Sequence, residues 1–88
     1  MSQAFDKLEE QLALQEWPSV YLFKFIVLNT EEKLAQATAL FDETAVLQLQ
    51  ASKNGKYMSV SAKVLMLDVS SVMEIYQKAQ KIEGIISL

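Results

Sequence analysis

The chain has 88 residues, a net charge of −3, eight lysines, and no arginine, histidine or cysteine. That composition excludes a disulfide framework, a thiolate nucleophile, an imidazole general base and a His- or Cys-ligated metal site. An acidic chain without the arginine fork also lacks the basic footprint of a nucleic-acid binder. Its length suits one domain, burying roughly 60–65% of the surface of the unfolded chain. No apolar run reaches the roughly 18–20 residues of a membrane span, and the amphipathic, acidic start (Asp6, Glu9, Glu10) is unlike a signal peptide. The expectation is a soluble, cytoplasmic protein with no membrane contact, no cofactor and no metal.

Residues 3–15 place Phe5, Leu8 and Leu12 at i, i+3 and i+7 among glutamates and glutamines, a short amphipathic helix with a narrow apolar stripe. Trp17-Pro18 ends it, since proline forces the preceding residue into extended geometry. Residues 1–18 are read as a helical arm and residues 19–88 as the folded domain. Residues 19–28 form the first strand, rich in β-branched and aromatic side chains. Tyr21, Phe23, Phe25 and Val27 share one face; Val20, Leu22, Lys24, Ile26 and Leu28 share the other. Two largely apolar faces predict a central strand covered on both sides, and Lys24 assigns the aromatic face to the main core.

Asn29 or Thr30 then caps a helix, with Glu32 three residues beyond Asn29 as in a capping box, and Leu34, Ala37, Leu40 and Phe41 as its buried stripe. Glu31 and Glu32 are read as first-turn carboxylates that suit the helix dipole, ahead of a metal or acid–base pair. Residues 44–66 form a hairpin turning at Asn54-Gly55. A type I′ turn needs φ > 0 at both central residues, and Asn-Gly between alternating apolar runs is its strongest signature. The register pairs Ala51 with Met58, Leu49 with Val60, Leu47 with Ala62 and Ala45 with Val64 on an apolar face. Gln50 with Ser59, Gln48 with Ser61 and Val46 with Lys63 make the other face. A slip of one residue would destroy this separation. Asp68 caps a last helix over 69–82, with Val69, Val72, Met73, Tyr76 and Ala79 inward and Glu74–Lys78 as an i, i+4 pair. Gly84 ends that helix, and residues 85–88 form a final strand.

After the arm the order is β-α-β-β-α-β. It predicts an α+β, ferredoxin-like sandwich: a four-stranded antiparallel sheet with two helices on one face. Strands one and three are expected to be central and parallel, and residues 44–51 and 85–88 to be the edges.

Trp17-Pro18 before the first strand, Ser52-Lys53-Asn54-Gly55-Lys56-Tyr57-x-Ser59-Val60-Ser61 in the hairpin, Val72 through Tyr76 and the chain end at Leu88 resemble the YbeD-like family of small bacterial proteins of unknown function. Met58 stands where a relative carries histidine, and the acidic stretch before Trp17 is longer here. The resemblance implies a ferredoxin-like fold similar to ACT regulatory domains, which bind small ligands at subunit interfaces, and it implies no catalytic residues.

Catalysis is the weakest reading. Ser52, Ser59, Ser61, Ser70 and Ser71 have no histidine to activate them, and Lys63, two residues beyond Ser61, lies on a solvated face. Tyr57, Ser59, Ser61, Lys63 and Leu65 with Lys24 make a poor platform for stacking RNA bases. A regulatory module binding a small effector and a protein-interaction module both remain. The candidate ligand surface is the turn: Ser52, Lys53, Asn54, Gly55, Lys56, Tyr57 and Ser59. The candidate self-association surface is the stripe Val20, Leu22 and Ile26, covered either by Phe5, Leu8 and Leu12 of the arm folding back or by a second chain.

Overall fold

A computed structural model of the protein describes residues 3–88, with side chains from Asp6 onward. The elements are α1 (Gln3–Ala13), β1 (Ser19–Leu28), α2 (Glu31–Thr38), β2 (Val46–Ala51), β3 (Tyr57–Met66), α3 (Val69–Gln80) and β4 (Ile86–Ser87). The strands form one antiparallel sheet in the order β2-β3-β1-β4. β1 and β3 are the central pair, yet they run antiparallel, not parallel as expected from sequence. The connection through α2 returns β2 in the direction of β1, and the tight hairpin then reverses β3.

Alternation along β1 sends Phe23, Phe25 and Val27 into the core. Phe23 is the hub of an aromatic cluster, with ring centroids of Tyr21 at 4.7 Å and of Phe41 and Tyr76 at 5.4 Å. Val72, Met73, Tyr76 and Ala79 bury the apolar face of α3 against it. A second patch joins Val27 and Val60 to Ala37 of α2, with Leu34, Met58 and Ile85 packed around it. Both helices therefore cover one face of the sheet.

Capping follows local chemistry. Asp68 accepts from the Ser71 amide at 2.8 Å, and that hydrogen bond holds its carboxyl below the usual carboxylate range. Glu74 and Lys78 are 3.3 Å apart and exposed, a pair of small energetic weight. For α2, Thr30 is the cap, its hydroxyl accepting from the Lys33 amide at 3.1 Å. Asn29 and the Asn29–Glu32 capping box play no part there, because the Asn29 carboxamide is engaged by the hairpin. Helix α2 stops at Thr38, so Leu40 and Phe41 reach the core from the turn that follows.

Strand ends differ from expectation by one or two residues. Asp42 accepts from the Thr44 amide and hydroxyl, which lowers its carboxyl pKa and closes a turn. That turn delays β2 to Val46, and the Ala45–Val64 pair is not made. Strand β4 is reduced to Ile86–Ser87, although the Leu88 amide still reaches the Lys24 carbonyl at 2.9 Å.

The largest correction concerns α1. Leu12 is 2% exposed within the main core and Leu8 packs against that core. Trp17 Nε1 donates to the Leu12 carbonyl at 2.9 Å, holding the end of α1 against the entry to β1. The helix thus lies beside α3 on the covered side of the sheet and does not fold over the stripe; the Phe5 side chain lies outside the described residues. The opposite face of β1 is consequently open, not covered on both sides, with Val20 67% and Leu22 55% exposed.

Inside the core the Tyr21 and Tyr76 hydroxyls are 2.9 Å apart. Burial, and then this hydrogen bond, push the Tyr76 phenol well above its ordinary value of 10.0. The folded state holds that proton more tightly than the unfolded one. The stability contributed by neutral Tyr76 is thus complete below about pH 10 and falls as pH rises beyond it. Thermal melts taken upward from about pH 10 are expected to show a falling Tm, and Tyr76→Phe to flatten that fall.

Candidate functional site

The β2–β3 hairpin positions the candidate site. All six pairs from Val46–Lys63 to Ala51–Met58 match the register read from sequence. The turn itself is of another kind. Gly55 donates its amide to the Ser52 carbonyl at 2.9 Å, and the Ser52 amide bonds the Tyr57 carbonyl at 2.8 Å, so four residues, not two, form the loop. Asn54 has ordinary negative φ because its carboxamide oxygen accepts both the Lys56 amide and the Ser52 hydroxyl at 3.0 Å. Only Gly55 takes the left-handed conformation, at φ 74°. The register survives because either loop keeps Ser52 opposite Tyr57.

Asn29 locks this loop to the end of β1. Its amide donates to the Lys56 carbonyl at 2.9 Å and its Nδ2 to the Gly55 carbonyl at 3.0 Å. A Cβ at Gly55 would meet no atom within 4 Å, so substitution is penalised by backbone conformation alone. Gly55→Val is expected to cost about 1–2 kcal/mol in chemical denaturation, and Gly55→Asn distinctly less, since asparagine tolerates this region. An unchanged midpoint for Gly55→Val would contradict this account.

Beside the loop, on the open face, lies a groove of about 510 Å³ lined by Ile26, Gln50, Ala51, Ser52, Lys53, Tyr57, Ser59 and Ile86. Its floor is one cross-strand row, Gln50–Ser59–Ile26–Ile86, running through all four strands. The row offers aliphatic surface at one end and an amide and a hydroxyl at the other. Lys53 and Tyr57 form the rim, and Lys56 Nζ stands 5.5 Å from the Tyr57 ring centroid, a cation–π distance.

Of the seven turn residues read as candidates, Ser52, Lys53, Tyr57 and Ser59 line the groove. Asn54, Gly55 and Lys56 build the loop behind it. The Ser52 hydroxyl also serves the turn, accepting from the Tyr57 amide at 3.0 Å. Gln50, Ala51 and Ile86 were not among the candidates, and Ile26 was assigned to the stripe. The hairpin register already places Gln50 beside Ser59; the missing information was which isoleucine of Ile85-Ile86 turns outward. Val20 and Leu22 lie further along the same face, where Val20 pairs with Leu65 and Leu22 with Lys63, itself opposite Val46.

Among the described residues no cluster of carboxylates could hold a metal ion, and no helix is long and apolar enough to cross a membrane. The groove's ionisable groups are Lys53 and Tyr57, with no carboxylate among the lining side chains.

This α+β domain, with a small open groove on its sheet, belongs by sequence to a defined family. The family model described as a protein of unknown function (DUF493) matches residues 13–88, and the chain is a member of that family, the YbeD-like proteins. No curated protein and no solved structure matched the chain.

Proposed function

We propose that the protein is a non-catalytic regulatory module on a ferredoxin-like βαββαβ frame, binding a small ligand in the groove beside the hairpin. The central antiparallel β1–β3 pair and the two helices on one face support that frame. The observation that carries the function is the groove lining: the aliphatic surface of Ile26 and Ile86, the Tyr57 ring, one lysine, one amide and hydroxyls around about 510 Å³. A small pocket with apolar walls and a few converging polar groups is the usual form of a ligand site. The single cation without a lining carboxylate favours a small amphipathic anion, with a carboxylate at Lys53 and an aliphatic or aromatic body over Ile26 and Ile86.

A panel of small aliphatic and aromatic carboxylates tests this through the shift in Tm, since a ligand at 100 times its Kd adds about 2.7 kcal/mol to stability. Lys53→Ala is expected to weaken binding about tenfold or more, the scale of one charge-assisted hydrogen bond. Methyl signals of Ile26 and Ile86 that stay unmoved across the panel would contradict the reading.

A protein-interaction module is the second reading, and the exposed Val20, Leu22, Val46 and Leu65 at the other end of the open face favour it. There Leu22 and Val46 border a smaller depression with Gln48, Ser61 and Lys63.

A further inference from the structure

Strand β2 is an edge strand without the usual protections. Native sheets blunt exposed edges with charges, prolines or bulges. Val46-Leu47-Gln48-Leu49-Gln50-Ala51 has no charge and no proline, and pairs without a bulge with β3. The Ser52 amide bonds the Tyr57 carbonyl, so alternation along the ladder turns the main-chain groups of Val46, Gln48 and Gln50 towards β3. Those of Leu47, Leu49 and Ala51 face outward. The Leu47 and Leu49 side chains lie on the helix-covered side, but at this edge they stay 40% and 47% exposed.

Charge decides what fits there. Asp42 and Glu43 precede the neutral strand, and Lys53 and Lys56 follow it. A strand acidic at its start and basic just past its end is complementary to itself only when antiparallel. A parallel copy would set acid against acid and lysine against lysine.

We propose that β2 is a self-association edge on which a second copy of this chain pairs its own β2 antiparallel, about a twofold axis through Leu49. In that register Leu49 meets its counterpart, Leu47 meets the second copy's Ala51, and Gln48 meets the second copy's Gln50. All three outward-facing residues of each strand find main-chain partners. The second copy's Lys53 and Lys56 come beside Ala45, Glu43 and Asp42, and the two sheets become one. This interface uses the edge of the sheet, not its open face, and stands whether or not the groove binds a ligand.

Sedimentation at about 100 µM, where a micromolar interface is nearly saturated, is expected to give twice the 9.9 kDa chain mass. Leu49→Lys is expected to sediment at the single-chain mass with an unchanged far-ultraviolet circular dichroism spectrum. Glu43→Lys alone, and Lys53→Glu with Lys56→Glu, should each be monomeric, and an equimolar mixture of the two should recover the doubled mass. Leu22→Ser, on the open face, should leave association intact. A wild-type chain that stays monomeric, a Leu49→Lys chain that associates like wild type, charge variants that associate alone, a mixture that stays monomeric, or loss of association in Leu22→Ser would each overturn the proposal.

Discussion

Replacing Phe23 by alanine is expected to cost about 3–5 kcal/mol of folding stability, the range for deleting a fully buried phenylalanine. A domain of this size has a total of about 5–15 kcal/mol, so the variant loses a large part of its margin. Phe23 sits within 4.7–5.4 Å, centroid to centroid, of Tyr21, Phe41 and Tyr76. Those three rings come from the same strand, the turn after α2, and α3. No neighbouring element can shift alone to refill the space, because each is tied elsewhere: Tyr76 to Tyr21, and Phe41 also against Phe25. The cavity therefore persists and its cost adds to the lost transfer energy. The control is the adjacent residue. Leu22→Ala removes an aliphatic side chain from the open face and is expected to stay within about 0.5 kcal/mol. Urea melts with equal m-values separate the two. Equal costs for both variants would mean that the faces of β1 are assigned the wrong way round.

The contrast between Phe23 and Leu22 was legible in sequence because one polar residue, Lys24, breaks an otherwise apolar strand. The hairpin register was legible for a stronger reason: turn position and two-residue alternation had to agree over six pairs, and they did. What stayed hidden is competition among local hydrogen bonds. Asn54-Gly55 fits a two-residue turn by composition. The Asn54 carboxamide instead bonds the Lys56 amide and the Ser52 hydroxyl, which favours the longer loop. Likewise Asn29 and Thr30 are equal candidates as caps until a distant loop claims one of them. The relative direction of β1 and β3 followed from the connections, and required tracing the crossover and the hairpin together.

The candidate site was half legible. Four of its lining residues cluster within Ser52–Ser59, where the sequence concentrates polar side chains around a turn. The other half depends on strand order, since Ile26 and Ile86 are sixty residues apart and become neighbours only through the β1–β4 pairing. A two-residue strand gives almost no periodic signal. Whether Ile85 or Ile86 faces the groove is decided by the Ile85 amide bonding the Ile82 carbonyl at 3.2 Å and its side chain packing on the core.

Leu12→Ala is expected to destabilise the protein by about 2–5 kcal/mol, as for other buried leucines. From sequence alone, α1 is a narrow amphipathic helix cut off by Trp17-Pro18, and its apolar stripe could cover either side of the sheet. Packing chooses the helical side. Val69, Val72, Met73, Tyr76 and Ala79 make α3 apolar on its sheet-facing side, and Leu12 of α1 is buried in the cluster that includes the last four of them. On the open face the aliphatic side chains are interrupted by Gln48, Ser59, Ser61 and Lys63, so it offers no continuous apolar stripe to match that of α1. Leu14, the residue just past the end of α1 and 87% exposed, is the matched control, and Leu14→Ala should leave the midpoint within about 0.5 kcal/mol. If Leu12→Ala behaved like Leu14→Ala, α1 would not be part of the core, and the open face would again be available to it. If only Leu12→Ala is costly, α1 is a structural helix of the domain and the open face is left to ligands and partners.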